Sequence, residues 1–542
     1  MHSKPFLFSL LFTAAATACA APQLDANVRN MIASRIDSGE LSSLVIGVID
    51  GDDSAVYGFG QVGGAAPDAQ TVYEIGSVTK TFTALLLARA VQAKTATLDE
   101  AVADLLPGYA LPNYRDQPIT LLDLATQSSG LPRLPNNMLP KQPLNPYTDY
   151  GAADLKKFLA NYQLPRAPGA SYEYSNLGFG LLGHALSVQA GRPYADLVRA
   201  QIAGPLGMGS TGVVLTAAMQ AHLAPGHDAA GQPAANWDMD ALAGAGALRS
   251  DAQDLVRYLQ ALMQHRDDHS AYALVQTAQR ATPLPDGRIA LAWNLNPLRA
   301  TPIVWHNGMT GGYASYVGYT ADGKRGVVVL TNTAASVDAI AMASLVPGAP
   351  AERQAVTLAP AVLAEYEGHY QIVTGFILSV HPSAHGLTTQ ATGQPAFEAH
   401  ASARDEFFLR EFDAQLSFQR DAAGVVQSLT LHQHGRHMLA KKLPPQAPRA
   451  GIALDPAMLR QYVGTYMLDV GLATTVTIED GVLYAQATGQ QRFPLNASAP
   501  DEVYYEPADV RVSFKRDAQG MVTHLVLHQS GQDIGGARIA DK

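Results

Sequence analysis

The chain has 542 residues, of which 47% are hydrophobic and only 15% charged, with a formal net charge of -10. At roughly 100 to 200 residues per domain this is material for two to four globular domains. Its charges form no long runs, so the basic face that DNA or RNA would require is missing, and no internal apolar run approaches the roughly 20 residues that span a bilayer.

The N-terminus reads as an export signal: Lys4 supplies a positive region, Phe6 to Thr13 an apolar one, and Ala18-Cys19-Ala20 a small-residue cleavage site. Cleavage after Ala20 is expected, which sends the protein to the periplasm or the medium. Cys19 offers a lipoprotein alternative, disfavoured by Ala16 at a position that calls for a large aliphatic residue. Removal of the signal takes away the single cysteine, so the mature chain has no disulfide and rests on core packing.

An amphipathic stretch, Leu24 to Ile36, opens the body of the chain. Two β-rich runs, Leu44 to Asp52 and Ala55 to Gly60, then flank an acidic Gly-containing turn and predict a hairpin. Directly after it comes Ser77-Val78-Thr79-Lys80 at a helix start. Three-residue spacing puts the hydroxyl and the amine on one helix face. The following run, Thr81 to Ala88, is apolar on nearly every side and predicts a buried helix, where a lysine is costly without a task or a partner. A lysine of lowered pKa could take the serine proton and make Ser77 a nucleophile.

Further helices are predicted at Leu121 to Gln127, Leu177 to Gln189, Tyr194 to Ile202 and Ala252 to Gln264, the last capped by Ser250 or Asp251. Tyr174 and Asn176, two residues apart before the Gly-rich Leu177 helix, offer an acid/base hydroxyl and a hydrogen-bonding amide to one cleft. Strands are predicted at Ile303 to His306, Ala314 to Thr320 and Arg325 to Thr331. His306-Asn307-Gly308-Met309 lies at a strand edge, where glycine lets a substrate approach the backbone and His306 projects a polar group. A hairpin, then helices, then a meander make an α+β domain with an antiparallel sheet.

Pro-rich linkers follow at 347–358 and 444–454, and between and after them lies an internal repeat at a constant offset of 96 residues. Leu363-x-x-Tyr366-x-Gly368-x-Tyr370 returns as Leu459-x-x-Tyr462-x-Gly464-x-Tyr466, Ala391-Thr392-Gly393-Gln394 as Ala487-Thr488-Gly489-Gln490, and Leu429-x-Leu431-His432-Gln433 as Leu525-x-Leu527-His528-Gln529. Short alternating runs predict each copy, 359–443 and 455–541, as a small antiparallel β-barrel or sandwich, a lipocalin-like barrel being the expected form. His432 and His528 recur without a second ligand at metal spacing and read as structural strand-face residues, so no metal site and no cofactor are expected.

Taken together, Ser77-Val78-Thr79-Lys80, Tyr174-Ser175-Asn176 and His306-Asn307-Gly308 resemble, in order and spacing, the three motifs of the serine β-lactamase and penicillin-recognising peptidase family, particularly its class C-like branch. The resemblance covers roughly residues 25 to 345, within a domain placed at 24–346. It extends to Leu124 to Leu131 and Ala245 to Ser250, which look like family landmarks. It implies Ser77 as the acyl-forming nucleophile and Lys80 and Tyr174 as partners in proton transfer. It further implies Asn176, His306 and Gly308 as substrate-binding residues, and the backbone N–H groups of Ser77 and Met309 as the oxyanion hole.

The family's efficient lactam hydrolysis usually goes with lysine at the third motif, where this chain has His306, partly neutral at pH 7. A hydrolase domain followed by two barrels also resembles the family's D-aminopeptidases. The expectation is an exported serine hydrolase acting on a small-molecule or peptide substrate, cell-wall fragments included. Peptides, D-amino-acid amides and esters are favoured over β-lactams. The alternatives are a β-lactamase or a non-catalytic protein that binds penicillin or cell-wall fragments. No glycine-flanked nucleophile elbow and no H-E-x-x-H motif offers another hydrolytic route.

Overall fold

In the computed structural model of the protein, the described residues are 21–138, 140–142, 144–282, 287–296, 301–346, 355–373, 376–383, 386–391, 396–409, 414–433, 436–444, 452, 454–468, 473–479, 481–487, 493–505, 510–529 and 532–539. The expected signal 1–20, most of both linkers and the repeated Thr-Gly-Gln triplets at 392–394 and 488–490 lie outside them.

The N-terminal portion is built on an eight-stranded sheet. In spatial order its strands are Asp53–Gly60, Ser43–Asp50, Arg325–Thr331, Ala314–Thr320, Ile303–Met309, Asn294–Asn296, Arg288–Ile289 and Arg280–Ala281. The hairpin strand Ser43–Asp50 pairs antiparallel with Arg325–Thr331, Val45 opposite Leu330, so the two ends of the domain meet as the second and third strands of the sheet. Because side chains alternate across a strand, one sheet supplies two cores. Val45, Ile49, Val328 and Leu330 join the core around the helices Thr79–Gln92 and Ala252–Gln264. Leu44, Ile46, Val327 and Val329 instead pack with Val28, Ile32, Ile340 and Leu345 from the helices Ala26–Asp37 and Asp338–Leu345.

Helix boundaries follow local chemistry. Asp251 caps Ala252–Gln264 by accepting from the Asp254 N–H at 2.8 Å, and Gly191 ends Asn176–Ala190 in the left-handed region. The predicted helix Leu121 to Gln127 stops at Ala125, and Gln127 takes a left-handed φ of 55°. The predicted helix Tyr194 to Ile202 is α-helical only to Val198 and continues as a π-helical turn, Arg199–Ala203. The strand predicted to end at His306 runs on to Met309, held by pairing with Ala314–Thr320 despite Gly308.

The two repeats are closed eight-stranded barrels, Gly368–Val373 through Arg436–Lys442 and Gly464–Leu468 through Gln532–Ile539. Each carries the same clasp. The hydroxyl of Tyr366 accepts from the Asp405 N–H at 3.0 Å, and that of Tyr462 from Asp501 at 2.9 Å. Tyr370 and Tyr466 donate back to the carbonyls of Tyr366 and Tyr462, and Arg420 and Arg516 pair with Asp405 and Asp501. His432 and His528 lie on strands with Nε2 2.9 and 2.8 Å from Ser417 and Ser513. Among the described residues no group of three His, Cys, Asp or Glu could hold a metal ion, and no helix is long and apolar enough to cross a membrane.

Candidate active site

Gly76 and Gly308 build the site. Ser77 sits in a single 3-10 turn, Gly76–Val78, that leads into the helix Thr79–Gln92. The end of the strand Ile303–Met309 runs hard against that turn. A side chain at Gly308 would come within 2.1 Å of the Ile75 carbonyl and 2.9 Å of the Ser77 nitrogen, and one at Gly76, whose φ is +46°, within 2.8 Å of the Met309 nitrogen. Only glycine permits this approach. It places the Ser77 and Met309 backbones side by side.

Lys80 is fully buried, and its Nζ lies 2.8 Å from each of Ser77 Oγ, Asn176 Oδ1 and the Ala245 carbonyl. Burial first, and the charge of Arg133 second, hold its pKa well below the usual lysine value. A neutral amine has two hydrogens and one lone pair. The amide oxygen and the carbonyl can only accept, so they take both hydrogens and leave the lone pair facing the Ser77 hydroxyl. Tyr174 donates its own hydroxyl to Ser77 Oγ at 2.7 Å. Burial raises the Tyr174 pKa above the ordinary phenol value, with the Ser77 hydrogen bond opposing, so it stays protonated and a donor. The array runs from phenol to serine oxygen to amine, an order in which a proton can leave Ser77 and another can be supplied by Tyr174.

The Tyr174–Asn176 segment is held from behind. Ser175 caps the helix Asn176–Ala190 by accepting from the Gly178 N–H at 2.8 Å and donates to the Pro132 carbonyl at 2.6 Å. Gln127 accepts from the Ser175 N–H at 2.7 Å. The stretch Leu124 to Leu131, noted in the sequence without a role, thus positions Tyr174. The other such stretch, Ala245 to Ser250, supplies the carbonyl for Lys80, and its Leu248 N–H donates to Thr79 at 3.1 Å.

His306 differs from the sequence reading. Its ring is only 2% exposed, and Nδ1 lies 2.6 Å from the Asn307 carbonyl. Burial, with the Lys80 charge as the lesser cause, lowers its pKa to about 3, so the expected partly charged, projecting imidazole is instead a buried neutral one beside Lys80.

Residues without a sequence signal complete the surroundings. Arg133 is exposed, with its guanidinium 5.1 Å from the centre of the Tyr174 ring. Tyr147 packs at a tilt of 55° against Trp237, ring centres 5.0 Å apart, and the backbone N–H of Trp237 donates at 2.8 Å to Glu74, itself buried and paired with Arg249 at 3.0 Å. Arg133 and Tyr147 come from a Pro-rich segment whose local pattern predicts no element, so only the folded chain reveals them.

A family description, Beta-lactamase, matches residues 28–347, and the chain belongs to that family. Its N-terminal domain has the serine β-lactamase fold, and its relatives include class C β-lactamases and penicillin-binding-protein-like peptidases. A second description, Domain of unknown function (DUF3471), matches residues 448–538. The chain is 31% identical over 208 residues to the D-alanyl-D-alanine-carboxypeptidase/endopeptidase AmpH of Escherichia coli K12, a match covering 38% of this chain and 54% of that protein. The chain thus spans little more than half of that relative's length. It is 26% identical to Penicillin-binding protein 4* of Bacillus subtilis, over 67% of this chain and 86% of that one. Among solved structures, the Beta-lactamase/D-alanine Carboxypeptidase from Yersinia pestis matches with a TM-score of 0.50 and 25% identity, over 57% of this chain and 92% of that one.

Proposed function

We propose that this protein is an exported serine hydrolase that works through an acyl-enzyme on a peptide, D-amino-acid amide or ester, with β-lactams as poorer substrates. The observation that carries the proposal is the fully buried Lys80 amine 2.8 Å from Ser77 Oγ, its pKa lowered by that burial. In this reading Lys80 takes the Ser77 proton as the Ser77 oxygen attacks the substrate carbonyl. Tyr174 then supplies a proton to the departing group, the Ser77 and Met309 N–H groups hold the oxyanion, and Asn176 orients the substrate. Water releases the acyl group along the same path in reverse.

The neutral His306 supports the preference against β-lactams, because the family's lysine charge is absent there. The relatives named as carboxypeptidase/endopeptidase and penicillin-binding protein support peptides as substrates. Export rests on the Lys4 to Ala20 pattern.

A fluorescent phosphonate followed by peptide mass mapping tests the proposal: label is expected on Ser77, and a folded protein that takes no label there from any acylating probe would overturn it. A panel of D- and L-aminoacyl amides, D-Ala-D-Ala peptides, short acyl esters and a chromogenic cephalosporin then ranks the substrates, the cephalosporin being expected last.

A further inference from the structure

Arg133 is a cation without an anion. It is exposed, its guanidinium stands 5.1 Å over the Tyr174 ring, and it has no ion pair among the described residues. Acids on neighbouring segments are committed elsewhere: Glu173 to Arg166, Asp238 to Arg249, and Asp154 to the Gly151 N–H.

Its position is not that of a loose surface side chain. The Arg133 carbonyl accepts from the N–H groups of Asn176 and Leu177 at 3.0 and 3.2 Å, which ties it to the first turn of the helix that presents Asn176. Its charge also acts on the buried or half-buried phenols of Tyr147, Tyr172 and Tyr174. A guanidinium is a planar fork of N–H donors that matches a carboxylate, and its stacking on an aromatic face leaves that fork open to a ligand.

We propose that Arg133, held over the ring of Tyr174, forms an anion subsite of the acyl-transfer site and selects substrates that carry a carboxylate close to the scissile carbonyl. The inference rests on the acyl-enzyme reading given above, since it assigns the subsite to a substrate of Ser77. The carboxylate could belong to the acyl group or to the leaving group, and matched substrates separate the two.

For the acyl side, the mono-p-nitrophenyl ester of adipic acid is compared with its methyl ester. For the leaving side, 3-carboxyphenyl butyrate is compared with its methyl ester. All rates are corrected for spontaneous hydrolysis. In wild-type protein the acid of one pair is expected to exceed its neutral partner about tenfold or more in kcat/KM, the size expected of a charge-assisted bidentate contact. Arg133→Gln is expected to abolish that preference, and Arg133→Lys to keep part of it. Equal rates within both pairs, or a preference that survives in Arg133→Gln, would overturn the subsite.

Binding to Ser77→Ala, followed by titration calorimetry with the same four esters, judges the subsite without turnover. An acid bound about tenfold more tightly than its methyl ester supports it, and equal binding of acid and methyl ester in both pairs counts against it. If wild-type protein turned over none of the esters and took no phosphonate at Ser77, the acyl-enzyme reading would fail, while the calorimetry would still decide the fate of the subsite.

Discussion

Lys80 Nζ stands 2.8 Å from Ser77 Oγ, and in its neutral form it meets the hydroxyl as an acceptor, because Asn176 Oδ1 and the Ala245 carbonyl take its two hydrogens. Protonating Lys80 removes that acceptor. Activity should therefore rise with pH through the lowered Lys80 pKa, well below the 10.5 of a free lysine, and hold until Tyr174 ionises above the ordinary phenol range. A kcat/KM profile checks this; an activity limb near the free-lysine value would contradict it. Stability has the same sign. Between the lowered pKa and 10.5 the unfolded chain binds a proton that the folded chain does not, so stability rises with pH across that window. Lys80→Met should flatten that rise in urea titrations while reducing kcat by about 10² to 10⁴.

The neutral state of His306 is measurable directly. With a pKa near 3, its ring resonances should not titrate between pH 5 and 8, unlike those of an exposed histidine. Nuclear magnetic resonance of selectively labelled histidine, assigned with His306→Gln, reads this out, and a midpoint near 6.5 would show that the imidazole reaches solvent.

Gly308→Ala should disable the site through the backbone. The new methyl would sit 2.1 Å from the Ile75 carbonyl, so the strand must withdraw from the Ser77 turn. A loss of about 2 kcal/mol or more in unfolding free energy is expected, with phosphonate labelling slowed far beyond what the stability change explains. A variant that melts and labels like the wild type would mean that strand and turn can separate without consequence.

The barrel clasps should prove equivalent. Tyr366→Phe leaves the Asp405 N–H without its acceptor, and Tyr462→Phe does the same to Asp501. Each should cost about 1 to 3 kcal/mol in its own barrel, with little effect on acyl transfer, as read by proteolysis and by ester turnover of the same samples.

Much of this was legible in the chain. Ala314–Thr320 and Arg325–Thr331 begin and end where the alternation and the Asp322-Gly323 turn place them, since Gly323 supplies the positive φ that the turn needs. Lys80 announced itself by sitting in a helix with no polar face. The strands Arg280–Ala281, Arg288–Ile289 and Asn294–Asn296 were invisible, because two or three residues carry no periodicity and their pairing is decided by the neighbouring strand. The burial of His306 was also hidden: the motif shows which residue stands there, while the packing around it sets its charge.

The pairing of Ser43–Asp50 with Arg325–Thr331 has a further consequence for how the protein comes into being. Ser77 leaves the ribosome more than two hundred residues ahead of Gly308 and Met309, and the strand bearing them has no seat until the sheet closes. No early fragment can carry a finished catalytic centre. Whatever bond the protein cuts, catalysis doubles as a report that the whole domain has closed.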